Sequence, residues 1–324
     1  MGKIKLAFIG CGNRMGNHLN ELKNFDDVAF VGFYDVRPER AQDKQARVGQ
    51  GKVYDSLTEM LDDAKPDAVY IVVPPDQHGL IEPEVISRGI PFFIEKPLAI
   101  DKEVAIRLAE QVKEKNLMTC VGFQDRYLTF LPTLKEWLVG KEIGLVEGGW
   151  CGGLPRPYWY FKYATCGGQI LEQGIHVVDT IRYLFGEVKT VYCAGGRGII
   201  REEAEGYDLH DFATAVFTMQ DGKIVTLQSA LYDPKGCHNG LKIYAKGAKI
   251  IYNLRDSAEI QLPNETHFYK KTESNDMRIN RSWIDALQTG DRSLILSDYE
   301  DGLKSVLIGL ACNESVFSGN VIEL

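Results

Sequence analysis

Several residues in this chain have the types and spacing to do chemistry. Lys96 stands in Glu95-Lys96-Pro97, directly after an apolar run that reads as a β-strand. An ammonium at that end of a strand can polarise a C–O bond and stabilise a developing alkoxide. Glu172, His176 and Asp179 are spaced four and three apart, so in a helix they share one face. Two carboxylates flanking an imidazole can orient a histidine as a base near neutral pH. Read as metal ligands instead, the same three lack a further His or Cys cluster to complete a set.

A third set of residues points to a dinucleotide. Gly10-Cys11-Gly12-Asn13-Arg14-Met15-Gly16 follows an apolar strand and opens a helix, which lets backbone approach a pyrophosphate at a helix N-terminus. The third glycine of the usual spacing is displaced: Met15 holds its place and Gly16 follows. Asp35, 19 residues beyond Gly16 at the end of the second predicted strand, would accept hydrogen bonds from ribose hydroxyls and favours NAD. Arg37 could face a 2′-phosphate, which leaves NADP open. The expected cofactor residues are Gly10, Gly12, Asn13, Arg14, Met15, Asp35, Arg37, Pro74, His78, Glu95 and Lys96. His78 is read equally as a local helix cap. His18, His210 and His267 carry no constellation and read as surface or local structural residues.

These side chains need elements to hold them. Strands are expected at residues 3–9, 29–34, 68–72, 91–94 and 118–121, alternating with helices at 15–24, 38–47, 57–62, 78–87 and 102–115. That alternation builds a doubly wound parallel sheet. After Gly122 the pattern changes to β segments across 188–262, among them 212–219, 223–231, 241–245 and 249–254. Turn signals at Gln220-Asp221-Gly222 and Lys246-Gly247-Ala248 argue antiparallel hairpins. Helices are expected at 165–185, 280–289 and 298–315. The fold class is therefore an α/β Rossmann N-terminal domain, residues 1–122, plus an α+β C-terminal domain, residues 123–324, with a large, mostly antiparallel open sheet.

Composition narrows the partners. With 37 Lys+Arg against 45 Asp+Glu the net charge is −8, which repels phosphate backbones and anionic membranes, so neither nucleic acid nor membrane is expected. No apolar run approaches the length of a spanning helix. Seven cysteines (11, 120, 151, 166, 193, 237 and 312) show no framework spacing, as free thiols of a reducing compartment would, and a cytoplasmic location is expected.

The Glu95-Lys96-Pro97 motif, the stretch Gly167-Gly168-Gln169-Ile170-Leu171-Glu172-Gln173-Gly174-Ile175-His176-Val177-Val178-Asp179 and the following Arg182-Tyr183-Leu184-Phe185-Gly186 resemble the glucose-fructose oxidoreductase and inositol dehydrogenase family, Gfo/Idh/MocA. Residues 122–127 and 283–321 are similar to it as well. The resemblance implies an NAD(P)-dependent oxidoreductase acting on a secondary hydroxyl or ketone of a sugar, glycoside or cyclitol. It implies Lys96 near the nicotinamide and His176 removing the hydroxyl proton. It further implies a homodimer or homotetramer through the C-terminal sheet. This chain departs from the family pattern at Cys166, in place of a glycine, and at Glu172, in place of Asp. One extra methylene there changes which hydroxyl the carboxylate meets.

Lys96, Glu172 and His176 are thus the expected catalytic residues, and Lys96, Arg126, Tyr158, Trp159, Glu172, His176 and Asp179 the expected substrate contacts; no metal is expected. Arg156, Tyr158, Trp159 and Tyr160 form a basic aromatic loop suited to a sugar face or to an interface. Two other readings share these residues. One is an NAD-dependent glycosidase acting by transient oxidation and elimination; the other is a non-catalytic nucleotide-sensing regulator.

Overall fold

The computed structural model describes residues 2–155, 157–200, 205–232 and 238–324, and at Tyr158 the backbone alone. In chain order the first strands and helices are β1 (Ile4–Ile9), α1 (Asn13–Leu22), β2 (Val28–Tyr34), α2 (Pro38–Val48), β3 (Lys52–Val53), α3 (Leu57–Ala64), β4 (Ala68–Ile71), α4 (Glu82–Ser87), β5 (Phe92–Ile94), α5 (Lys102–Glu114) and β6 (Thr119–Val121). The six strands form a parallel sheet in the order β3-β2-β1-β4-β5-β6. Every residue of β4 and β5 is buried, as strands covered on both faces by helices must be. The order reverses between β1 and β4, where open sheets of this kind bind ligands. Each strand expected here is present, and the short edge strand β3 is added. The helix expected from residue 78 starts only at Glu82, behind a 3-10 turn at Pro75–Gln77, because His78 is extended and Gly79 sits at φ +94°, outside helical backbone.

The remaining elements are α6 (Leu131–Leu138), β7 (Ile143–Cys151), α7 (Tyr163–Cys166), α8 (Ile175–Phe185), β8 (Val188–Gly196), β9 (Phe212–Met219), β10 (Ile224–Ala230), β11 (Gly240–Ala245), β12 (Ala248–Asn253), β13 (Ser257–Gln261), β14 (Thr266–Lys270), α9 (Asn275–Thr289), α10 (Tyr299–Ser318) and β15 (Ile322–Glu323). Nine strands make one sheet, β14-β13-β12-β11-β7-β10-β9-β8-β15. It is antiparallel except where β10 runs parallel to β7. Strand β7 was not expected, since its sequence Ile-Gly-Leu-Val-Glu-Gly-Gly-Trp-Cys is rich in a poor strand former. Gly148 has a packing reason: a Cβ there would stand 3.2 Å from a Val177 methyl of α8. Alternation along β10 sends Val225, Leu227 and Ser229 to a buried face and leaves Ile224, Thr226 and Gln228 on the other.

The helix expected over 165–185 is broken into three. Residues 163–166 form α7, Ile170–Gly174 form a π-helical turn, and α8 begins at Ile175. Gly167 and Gly168, both at positive φ, end α7; a Cβ on Gly168 would lie 2.5 Å from the Tyr163 ring.

The division of the chain also differs from the expected break after residue 122. One compact unit comprises Met1–Ala99, Glu103–Tyr127 and Ser274–Leu303; the other comprises Ile100–Lys102, Leu128–Glu273 and Lys304–Leu324. Helix α9 is the reason. It starts at Asn275, five residues before the expected start, where Ser274 caps it by accepting from the Met277 amide, and Gly290 ends it at φ 76°. Its apolar residues Ile279, Trp283 and Ile284 are buried in one core with Leu19, Leu22, Tyr70 and Phe93. Arg281 adds a two-pronged pair with Asp27 at 2.9 and 2.8 Å.

Among the expected free thiols, Cys11, Cys120, Cys166, Cys193 and Cys312 are free. Cys151 is disulfide-bonded instead, and Cys237 lies outside the described residues. Among the described residues no helix is long and apolar enough to cross a membrane. Because Trp283 is fully buried in the first unit, Trp283→Ala should destabilise that unit by about 3–5 kcal/mol. Urea unfolding followed by hydrogen exchange over β1 and β4 checks this; an unchanged midpoint would place α9 outside that core.

Candidate active site

In the first unit the glycine loop is shaped from both sides. A Cβ on Gly10, which has φ +81°, would lie 2.2 Å from the Val72 carbonyl oxygen, so only glycine lets the loop pass the end of β4. Gly12 precedes α1 with no side-chain cap, and a Cβ there would meet nothing within 4 Å. The N-terminus of α1 thus has no side-chain cap and open space beside Gly12, an arrangement suited to a pyrophosphate. Gly16, the displaced third glycine, instead faces Arg47 and Lys44 of α2. Asp35 is buried at the end of β2 and accepts from the Cys11 amide at 2.6 Å and the Arg37 amide at 2.9 Å. It thus ties the glycine loop to β2. Burial, reinforced by the Asp35 charge, pushes the Cys11 thiol up to about 12. These features fit a bound dinucleotide, with the amides after Gly12 toward phosphate and Asp35 toward ribose.

Other expected cofactor residues behave differently. Asn13 and Arg37 are exposed, while the Met15 side chain is buried in the core and leaves only its backbone toward a ligand. His78 and Glu82 are both buried: His78 Nδ1 lies 2.6 Å from Glu82 Oε1, and Glu82 Oε2 accepts from the Gly79 amide at 2.6 Å. This pair closes the turn between β4 and α4. Pro74, half-buried, opens that turn.

The densest polar cluster surrounds Glu95. Its carboxylate, almost wholly buried, accepts from Arg14 Nε at 2.7 Å, and the same oxygen lies 2.9 Å from His18 Nε2. Arg14 also forks onto Asp276, Nη1 to Oδ2 at 3.0 Å and Nη2 to Oδ1 at 2.9 Å. His18 reaches Asn280 Oδ1 through Nδ1 at 3.1 Å, and the Tyr70 hydroxyl donates to the same oxygen at 2.9 Å. Burial opposes ionisation of Glu95, yet the charges of Arg14, His18 and Lys96 outweigh it and hold the carboxyl well below the usual carboxylate range. There is no spare room: a Cβ on Gly122 would lie 2.7–2.8 Å from the Glu95 carboxyl atoms. Lys96 follows directly, half-buried, in a cis peptide with Pro97. His18, read from sequence as surface or local, is in fact completely buried here. Asp276 and Asn280 were missed; they stand 262 residues from Arg14 and His18, beyond any spacing signal.

In the second unit His176 is buried on α8, with its ring stacked on Trp150 of β7 at 5.5 Å and 24°. Arg255 lies 5.7 Å from the Trp150 ring centroid. Trp150 was not foreseen, because β7 was not. Glu172 is buried within the π-helical turn, a distortion common at functional sites. The Tyr160 hydroxyl donates to Gln169 Oε1, and burial together with the Glu172 charge raises the phenol well above its ordinary value. Asp179, expected on the same face as His176, accepts from Ser305 Oγ at 2.8 Å and lies 3.8 Å from Arg182. Arg182 in turn holds Ser305 at 2.8 Å and both oxygens of Glu187. Asp179 is therefore tied to Ser305 and Arg182.

Arg126 belongs to the first unit, donating to the Leu296 carbonyl at 2.5 Å and pairing with Asp301 at 2.8 Å. Trp159 packs partly buried beside Tyr160 and the cluster of Cys166, Ile200, Leu209 and Leu231. The Tyr158 side chain and Arg156 lie outside the described residues, as does the loop at 233–237.

A Rossmann sheet with a glycine loop, an acidic residue closing β2 and a lysine at the end of β5, together with an α+β unit built on one broad, mostly antiparallel sheet, defines a dinucleotide-dependent oxidoreductase. Residues 4–123 match the NAD-binding Rossmann fold of the Gfo/Idh/MocA oxidoreductases, and residues 133–251 match that family's C-terminal domain. The chain belongs to the Gfo/Idh/MocA oxidoreductase family, and its N-terminal domain is that family's NAD-binding Rossmann fold. Myo-inositol 2-dehydrogenase of Thermotoga maritima is 22% identical over 333 residues, covering 99% of this chain and 98% of that one. The NAD(+)-dependent scyllo-inositol 2-dehydrogenase of Bacillus subtilis is 28% identical over 240 residues, 72% of this chain and 69% of its own. Among solved structures, the WlbA dehydrogenase of Bordetella pertussis, in complex with NADH and UDP-GlcNAcA, superposes with a TM-score of 0.84 at 22% identity and 99% coverage of both chains.

Because Glu95 has a depressed folded pKa, it contributes stability above the unfolded carboxyl value of about 4.3. That contribution is lost as pH falls through the folded value. Urea midpoints between pH 7 and pH 3 should therefore fall more steeply for the wild type than for Glu95→Gln; parallel curves would remove Glu95 as the source.

Proposed function

We propose that this protein is an NAD-dependent dehydrogenase moving a hydride between the nicotinamide and a secondary hydroxyl or ketone of a sugar, glycoside or cyclitol. The observation that carries the reading is the Lys96 loop: a cationic residue at the carboxyl end of β5, anchored through a buried, ionised Glu95 in an NAD-binding domain. NAD, when bound, supplies the hydride-accepting carbon. The amides after Gly12 and the Asp35 carboxylate hold it. The Lys96 ammonium stabilises negative charge on the substrate oxygen, and His176, stacked on Trp150, takes the hydroxyl proton. Glu172, beside the Tyr160 phenol, binds a neighbouring hydroxyl. Names of the relatives support a polyol substrate, since two of them are inositol dehydrogenases.

Purified protein incubated with NAD and a panel of cyclitols, free sugars and glycosides should show growth of reduced-cofactor absorbance with at least one of them. Lys96→Met and His176→Ala should each lower kcat by about 10²–10⁴-fold. Full activity of either variant, or an inert wild type across the panel, would sink the reading.

We also propose assembly with further copies of the chain, as a dimer or tetramer, through the outer face of the nine-stranded sheet. That face exposes Leu145, Tyr192, Phe212, Ile224 and Phe268, more large apolar side chains than a solvated sheet face ordinarily carries. Light scattering after size exclusion should give a multiple of 36.4 kDa, and Tyr192→Lys with Ile224→Lys should reduce it; a monomeric wild type refutes the assembly.

A further inference from the structure

We infer that Arg14 is a positioning residue for Lys96: it clamps Glu95 between the glycine-loop helix and Asp276, and so fixes the loop that presents the lysine. The inference rests on the dehydrogenase reading for its kinetic consequence, though not for its geometry. Sequence alone places Arg14 among the expected cofactor residues. Its nitrogens are otherwise engaged. Nε serves Glu95 and each Nη serves a different oxygen of Asp276, all at 2.7–3.0 Å. The charges of Glu95 and Asp276 outweigh the cost of burial and hold the guanidinium more firmly protonated than usual.

The loop is packed as well as bonded, with Leu98 and Ala99 buried behind Pro97. The Glu95 amide donates to the Ile71 carbonyl at 3.0 Å and the Gly122 amide to the Ile94 carbonyl at 2.8 Å, which secures the end of β5 but not the direction of the next side chain. Arg14 adds a side-chain anchor on residue 95, the immediate neighbour of Lys96, while Pro97 restricts the backbone on the far side. Glu95 is held from one side by Arg14 and His18 and stopped on the other by Gly122. Without Arg14, Glu95 and Asp276 would lose the cation that bridges them and repel across the gap. Lysine cannot replace it, since a point charge lacks the planar fork that spans two carboxylates.

The two roles for Arg14 predict different measurements on the full-length protein. Arg14→Gln is compared with Arg14→Lys and with Arg281→Gln, which removes an equally two-pronged pair to Asp27 in the same unit but away from the loop. Three quantities are read: the NAD dissociation constant by fluorescence titration, kcat and KM on the best alcohol of the panel, and amide hydrogen exchange over residues 94–98 without cofactor. The clamp predicts that Arg14→Gln lowers kcat by about 10–10²-fold, as expected for a reacting group displaced by about 1 Å. It also predicts faster exchange at 94–98 and an NAD dissociation constant within about threefold of wild type. Arg14→Lys should recover little of the kcat. Arg281→Gln should lower the unfolding midpoint while leaving kcat and the 94–98 exchange unchanged.

A tenfold or greater loss of NAD affinity with intact kcat would overturn the clamp in favour of a cofactor contact. Equal effects from Arg281→Gln would reduce Arg14 to general stability, and unchanged exchange at 94–98 would also overturn the proposal. Should Arg14→Gln fail to fold, Arg14→Lys supplies the same three readings. If the wild type turns over no alcohol, the dehydrogenase reading fails by itself, and the exchange contrast still decides whether Arg14 holds the loop.

Discussion

An ionised carboxylate removed from water is among the most demanding groups a protein can carry, and Glu95 is one. Its usual escape, taking up a proton, is closed because Arg14, His18 and Lys96 hold it in the charged form. Much of the first unit can be understood as meeting that demand. Helix α1 must turn Arg14 and His18 toward the end of β5, α9 must arrive with Asp276 and Asn280, and residue 122 must lack a side chain. Each contribution comes from a different part of the chain, and each is met within a few ångströms. The glycine loop thus has two duties. Its backbone passes close to the end of β4 at Gly10, and the side chains of Arg14 and His18 in its helix brace Glu95.

The second unit solves a different problem with different means. Its sheet is broad and one-sided, and its inner face needs a helix that can come close. Gly148 on β7 and Gly309 on α10 remove side chains where Val177 and Leu171 pass. The π-helical turn then adds width to the segment that carries Glu172. Asp179, Arg182, Glu187 and Ser305 hold the far end of α8 by a chain of charged hydrogen bonds. His176 sits between the widened turn and that anchored end, and the indole of Trp150 supports the plane of its ring.

Local pattern made the Rossmann sheet legible in the sequence, because continuous apolar runs such as Ala68–Ile71 and the glycine loop declare themselves within a dozen residues. The placement of Lys96 after a strand and of His176 on a helix was legible for the same reason, each standing in a short motif with a definite place. What escaped has a common physical character. The partners of Arg14 and His18 lie 262 residues away. Strand β7 is rich in glycine, so its composition speaks against the packing that requires it. Asp179 keeps helical spacing from His176, yet spacing on a helix does not say whether a carboxylate faces a ligand or a buried serine and arginine. The break after residue 122 followed from a change of texture in the chain, whereas the actual units follow from which core α9 completes.

That last point bears on how the protein is made. A chain leaves the ribosome from its N-terminus, and domains ordinarily fold as soon as their residues are out. Here the nucleotide-binding unit cannot close its core when residue 127 emerges, since Ile279, Trp283 and Ile284 are still unsynthesised. Until α9 appears, the apolar side chains it will cover, Leu19 and Leu22 among them, have no final cover. The whole sheet of the second unit up to β14 is translated during that interval. A helix made after most of the second unit's sheet therefore governs when the first unit becomes native.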